Sequence, residues 1–215
     1  MIDFRLYLIT DRRVCPGRSD GIPDTETLET ALETACRAGV RAVQLREKDL
    51  DGKTIYEMAA RIRESTTAHG SKLFINDRVD IALALGADGV HCPEHGFPVL
   101  DAAKLLGPSR TIGASVHSLD GARRAEDLGA DFVTFGPVFA TPSKTAYGPP
   151  QGLDALGGVA GSVGVPVFAI GGVTPERAAA CLDHGAAGVA LISSILGADD
   201  IAAAVRDFEA VMGTL

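Results

Sequence analysis

A chain of 215 residues is long enough for one full-sized core and short for two domains, and 46% apolar against 22% charged residues is a soluble, globular balance. The net charge of −8 and the lack of a basic stripe argue against nucleic acid as a partner, and no apolar run approaches the ~20 residues of a membrane span. Cys15, Cys36, Cys92 and Cys181 lack close pair spacing, which suits reduced thiols in a cytoplasmic protein better than a disulfide or metal framework.

Residues 1–10 are strand-like from the start, with no visible secretory leader, and the first strand is Leu6–Ile9. Arg12 to Asp24, rich in Gly, Pro and charge, reads as a loop. A helix over Thr25–Ala38 leads to a second strand, Ala42–Leu45. Apolar spacing predicts a helix over 53–69, stopped by Gly70, before a third strand at Leu73–Ile75. A short helix, Val79–Leu85, precedes the fourth strand at Gly89–His91, and a helix over Pro98–Leu106 precedes the fifth at Thr111–Ala114. Ser118 is placed to cap a helix running to Leu128, followed by the sixth strand, Phe132–Phe135. A connector of about 15 residues, Gly136 to Gly152, is long for a compact fold and suits a lid or binding loop. Then come a glycine-weakened helix over Gly152–Val163, a strand at Val167–Ile170, a helix opened by Thr174-Pro175-Glu176, a strand at Gly188–Leu191 and a last helix from Asp199 to Gly213.

Four times a helical stretch ends in glycine and runs into a strand, at Gly39, Gly86, Gly129 and Gly185, spaced 47, 43 and 56 residues apart. Each interval is about two βα units, which predicts eight parallel strands in an α/β fold, a single (β/α)8 TIM barrel over 1–215. Chemistry is then expected at the C-terminal strand ends.

Gly171-Gly172 after strand seven and Ser193-Ser194-Ile195 after strand eight supply the bare backbone and short helix start that suit a phosphate. Alternation sends Gln44 and Arg46 to one side of strand two, giving amide recognition and an anion anchor. Asn76 and Asp77 end strand three, Asn76 as a hydrogen-bonding group and Asp77 as a ligand for Mg²⁺. His91 and His117 close strands four and five, with Ser115 on the same side as His117; either imidazole suits proton transfer. His69, His95 and His184 read as surface residues. The alanine-rich helices are compatible with a homo-oligomer interface and equally with outer-layer packing.

Taken together, Gln44-Leu45-Arg46-Glu47-Lys48, Asn76-Asp77-Arg78, the run from Gly136-Pro137-Val138-Phe139 through Thr141, Ser143 and Lys144, Gln151-Gly152-Leu153, Ala169-Ile170-Gly171-Gly172 and Ile192-Ser193-Ser194-Ile195 resemble the thiamin phosphate synthase superfamily, which also contains thiazole tautomerases. The resemblance spans Tyr7 to about Ile195. It implies a transferase that joins hydroxymethylpyrimidine pyrophosphate to thiazole phosphate and releases pyrophosphate. It further implies that Gln44, Arg46 and Asn76 hold the pyrimidine pyrophosphate, that Lys48 and Lys144 offset its charge beside Ser115, and that Asp77 binds Mg²⁺. Thr141, Ser143, Gly172, Ile192 and Ser193 would surround the thiazole phosphate. Gly96 stands where the synthases carry a second metal-binding aspartate, and Pro137 where a tautomerase carries its histidine. A cofactor-free isomerase of carboxythiazole phosphate and a non-catalytic binder of thiamin phosphates therefore remain alternatives.

Overall fold

Runs such as Leu6–Ile9, Ala42–Leu45 and Gly188–Leu191 are buried at every position, as expected of parallel strands covered on both faces. In the computed structural model, which describes residues 2–16, 25–141 and 149–213, they form a closed barrel in chain order, each strand parallel to its neighbours. The strands are β1 (Leu6–Ile9), β2 (Ala42–Leu45), β3 (Lys72–Asn76), β4 (Gly89–Cys92), β5 (Thr111–Val116), β6 (Phe132–Phe135), β7 (Val167–Ile170) and β8 (Gly188–Leu191). Between and after them lie α1 (Thr25–Ala38), α2 (Gly52–Ala68), α3 (Val79–Ala84), α4 (Val99–Leu106), α5 (Leu119–Asp127), α6 (Gly152–Ala160), α7 (Pro175–Asp183), α8 (Ser193–Leu196) and α9 (Ile201–Met212).

The four repeated glycines do end helices in the left-handed region, at φ +133°, +60°, +96° and +86° for Gly39, Gly86, Gly129 and Gly185. Ser118 and Thr174 cap as expected, accepting from the N–H groups of Gly121 and Arg177. Elsewhere boundaries shift by a residue or more because a cap decides them. Asp51 accepts from the N–H groups of Lys53 and Thr54, so α2 begins at Gly52, and Asp200 accepts from Ala203 N–H, so α9 begins at Ile201. The glycine-weak α6 stops at Ala160, short of Val163. Within the expected loop after β1, Asp11 accepts from Arg13 N–H and organises a 3-10 turn, Arg12–Val14; residues 17–24 of that loop lie outside the described residues.

Two apolar regions result. The outer one packs helix faces such as Leu28, Leu32, Met58 and Val205 against the outward strand residues Leu8, Val43, Ile75 and Val189. The inner one fills the barrel with Phe4, Tyr7, Phe74, Phe132 and Phe168. Phe132 meets Phe4, Tyr7 and Phe74 edge-on at 5.7, 5.3 and 5.7 Å between ring centroids. Five rings fit only because small residues face them: a Cβ on Gly113 would lie 2.4 Å from Phe132 Cζ and 2.6 Å from His91 Nδ1. All four cysteines are free and buried. Burial pushes the thiols of Cys15 and Cys181 up to about 11 and that of Cys92 to about 12, so they stay protonated near neutrality.

Candidate active site

Above the aromatic floor the interior turns polar within one layer. Gln44 Nε2 donates to Tyr7 Oη at 3.1 Å, and Tyr7 Oη lies 3.4 Å from His91 Nδ1. His91 Nε2 is 2.9 Å from Ser115 Oγ, which accepts from Thr134 Oγ1 at 3.4 Å. Tyr7, Gln44 and His91 are at most 1% exposed. Burial, and after it the nearby Arg46 charge, lowers His91 to about 3, so the ring is neutral: one nitrogen donates and the other accepts. Burial likewise holds the Tyr7 phenol protonated. Gln44 and His91 thus lie under the mouth, linked to it through Ser115, and His91 is not a group that exchanges a proton near neutral pH.

The β2–β3 side of the rim is built from charge. Arg46 is half-buried just past β2, its N–H held by Thr10 Oγ1 at 2.8 Å, and Lys48 is exposed beyond it. Asn76 ends β3 in register with His91. Asp77 takes φ +65°, the one non-glycine residue with a left-handed backbone among those described. Its Oδ1 accepts from Phe97 N–H at 2.5 Å, while Oδ2 has no hydrogen bond among the described residues.

A metal fits this corner in one way. No group of three or more His, Cys, Asp or Glu side chains is arranged to hold an ion among the described residues. Gly96 approaches Asp77 so closely that a Cβ there would lie 2.3 Å from Oδ1. One carboxylate with substrate phosphate oxygens suffices for Mg²⁺, which keeps several waters and seldom needs an all-protein cage. The residues therefore fit an ion held by one carboxylate, its other positions left to water or ligand oxygens.

His117 lies on the rim after β5, its Nδ1 donating to the carbonyl of Gly136 and its Nε2 3.8 Å from Glu94 Oε2. His69 and His184 are half-buried C-caps whose Nδ1 atoms bond the carbonyls of Ser65 and Ala180 at 2.8 and 2.7 Å, more structural than the surface reading expects, while His95 is exposed.

The β6–β8 side is built from backbone. Gly171 and Gly172 take φ +98° and +64°, and a Cβ on either would lie 2.6 Å from the β6 loop, at Pro137 Cβ and Ala140 O respectively. Val138 and Phe139 donate to the carbonyls of Ile170 and Gly171 at 2.8 and 3.0 Å, locking the two loops together. Ser194 Oγ donates to Val173 O at 2.8 Å and ties α8 to the glycine loop, leaving Ile192 half-buried and Ser193 exposed. Thr141 is half-buried at the end of the described β6 loop; Ser143 and Lys144 lie outside the described residues.

Arg46, Asp77, Ser115, His117, Gly171 and Ser193 therefore share the C-terminal end of one barrel. Sequence reasoning missed Tyr7 and Thr134. The alternation of Leu6-Tyr7-Leu8-Ile9 places Tyr7 inward, and a threonine between aromatics in Phe132–Phe135 marks an inward polar position. It also passed over Arg12, whose acidic partners are 35 and 37 residues away.

Comparison with known proteins identifies the family. The family described as thiamine monophosphate synthase matches residues 6–195. A protein of Geobacter sulfurreducens with a provisional thiamine-phosphate synthase name is 51% identical, over 93% of this chain and 90% of its own. The thiamine-phosphate synthase of Moorella thermoacetica is 40% identical over 99% of this chain and 97% of its own. The solved thiamine phosphate pyrophosphorylase from Pyrococcus furiosus superposes with a TM-score of 0.84 at 35% identity, covering 97% of this chain and 95% of that one.

Proposed function

The chain belongs to the thiamine monophosphate synthase family, transferases that join hydroxymethylpyrimidine pyrophosphate to thiazole phosphate with release of pyrophosphate, and from that premise we propose which residues carry the reaction. In this step the bond from the pyrimidine methylene carbon to the pyrophosphate oxygen breaks, and its electron pair leaves with the oxygen. The thiazole nitrogen lone pair then forms the new carbon–nitrogen bond. The product is a thiazolium, so the joining step moves no proton. The demands on the protein are to bind two anions, steady the charge growing on the leaving group, align the reactants and keep water out.

The charged rim takes the pyrimidine pyrophosphate: Arg46 and Lys48 pair with its oxygens, joined by Lys144, and the Asn76 amide fixes the pyrimidine. Ser115 donates toward the pyrophosphate, while Gln44 and His91 beneath it set the orientation of that hydroxyl. Asp77 would hold Mg²⁺, which would supply positive charge beside the departing phosphates. His117, fixed by the Gly136 carbonyl and with its Nε2 3.8 Å from Glu94 Oε2, stands beside the same region. The glycine loop, Ile192 and Ser193 receive the thiazole phosphate through backbone amides, with Thr141 and Ser143 from the β6 loop. The substrates are thus small phosphorylated molecules.

The observation that supports this reading most is the pairing of a side-chain rim with a backbone rim across one barrel mouth. It suits one multiply charged leaving group and one phosphate better than two like ligands. The isomerase has less support: its proton carrier would have to replace the histidine that Pro137 displaces, and the interior imidazole, His91, is lowered to about 3. The test is a coupling assay with both substrates and Mg²⁺. Stoichiometric thiamin phosphate and pyrophosphate are expected, and no product at high enzyme concentration rejects the assignment. Calorimetric titration showing ligand binding without turnover would favour the non-catalytic binder instead.

A further inference from the structure

The sequence places Arg12 in a loop, yet it is one of the few buried charges among the described residues, 8% exposed, against Glu47 at 4%. Its backbone N–H donates to Glu47 Oε1 at 3.0 Å, Nη1 to Glu47 Oε2 at 2.8 Å and to Asp49 Oδ1 at 2.7 Å, and Nη2 to Asp49 Oδ2 at 2.8 Å. Two carboxylates are held in one planar fork. The grip is strong enough to draw Asp49 down to about 2, the hydrogen bond from Arg12 being the main cause. Between and beside the gripped residues stand Lys48 and Arg46.

The backbone here has little freedom left. Arg46 N–H is anchored to Thr10, and Leu50 N–H closes a turn onto Glu47 O at 3.4 Å, with Lys48 and Asp49 at its centre. Arg12 holds that turn at its first and third residues from the β1 side. The 3-10 turn carrying Arg12 also abuts α8: a Cβ on Gly197 would lie 3.5 Å from Val14 O. A buried ion pair such as Arg12–Glu47 is a poor route to stability, since apolar residues of similar volume commonly do as well or better. A planar fork does, however, fix geometry, which a lysine cannot reproduce.

We infer that Arg12 is a positioning residue: its buried guanidinium holds the Glu47–Leu50 turn so that Arg46 and Lys48 meet the pyrophosphate pre-arranged. This rests on the assignment of Arg46 and Lys48 to that substrate. It predicts a defect confined to one substrate, which a general loss of stability would not produce.

The test uses the Arg12→Met/Glu47→Leu double variant, which removes the fork without orphaning a buried charge, together with Arg12→Lys and Asp49→Asn. In the double variant kcat/KM for the pyrimidine pyrophosphate should fall about 10²-fold, with KM for thiazole phosphate changed less than about threefold, and amide exchange at residues 47–50 should accelerate. Arg12→Lys should fail to rescue. Asp49→Asn, at a half-exposed side chain that leaves the Glu47 pair intact, should show a smaller loss in the same direction and serves if the double variant does not fold. Adding Arg46→Ala to the double variant should cost much less than it costs alone. Wild-type kinetics in a folded Arg12 variant, equal losses for both substrates, or full additivity with Arg46→Ala would each overturn the inference. If the unmodified protein makes no thiamin phosphate, the function fails and this inference with it. If it does, and Arg46→Ala is impaired while the Arg12 variants are not, only the positioning role fails.

Discussion

The two sides of the barrel mouth solve the same problem with different materials. Across β2 and β3 the groups proposed to meet an anion are long side chains, Arg46 and Lys48, whose geometry has to be imposed by other residues. Across β7 and β8 the proposed partners are peptide groups beside Gly171, Gly172 and Ser193, whose geometry comes with the chain path. Side chains give net charge and reach, which suits a leaving group whose charge grows during reaction. Peptide dipoles give shape and no net charge, which suits a phosphate that is bound and does not change. The contrast explains why ion pairs crowd the first side and close backbone contacts the second.

Breaking the charged side should have the largest effect. Arg46→Ala is expected to lower kcat/KM for the pyrimidine pyrophosphate by about 10²- to 10³-fold, with the thiazole phosphate KM nearly unchanged, in steady-state assays varying each substrate. An equal effect on both would erase the division of labour. Next comes Gly172→Ala on the backbone side. A side chain there meets Ala140 O at 2.6 Å with φ at +64°. Strain of about 2 kcal/mol should appear as a lower melting temperature together with a raised KM for thiazole phosphate only.

The floor beneath both sides gives a third, pH-dependent expectation. His91 is lowered to about 3 in the folded protein, while an unfolded histidine titrates near ~6.5. Below that value the unfolded chain takes up a proton that the folded one refuses. The His91 contribution is therefore complete above pH ~6.5 and is lost as the pH falls toward 3, with about 1.4 kcal/mol gone one unit below ~6.5. Denaturant melts of the protein and of His91→Gln from pH 7 to 5.5 should converge by that amount, and parallel curves would refute it. The smallest effect is assigned to Arg177→Ala. This exposed side chain donates to Gly172 O at 2.7 Å and lies 4.8 Å over the Phe139 ring. Its loss should cost less than about 1 kcal/mol and raise the thiazole phosphate KM slightly, as binding titration would register.

The barrel was readable in the sequence because its signals are local. A glycine that ends a helix next to an apolar run needs nothing distant to specify it, and Gly39, Gly86, Gly129 and Gly185 all behave as expected. Positions at strand ends were readable for the same reason, so Arg46, Asp77, Ser115 and Gly171 fall on one rim. Depth was not readable. Gln44 and Arg46 have the same alternation phase, but Gln44 is sealed against Tyr7 while Arg46, two residues or about 7 Å further along the chain, is half-buried past the strand end, and periodicity does not say where along a strand the mouth begins. Arg12 escaped because its partners approach only when β1 and β2 pair through Leu8 and Val43. Ser143 and Lys144, expected at the site, lie outside the described residues.

The crowding at Gly96 bears on how this lineage can change. A new side chain at that position must displace both the Asp77 carboxylate, 2.3 Å from where its Cβ would sit, and the Pro93 ring, 2.7 Å away. Any side chain at this position therefore comes only with an accompanying shift of its neighbours, and the glycine is entrenched by them.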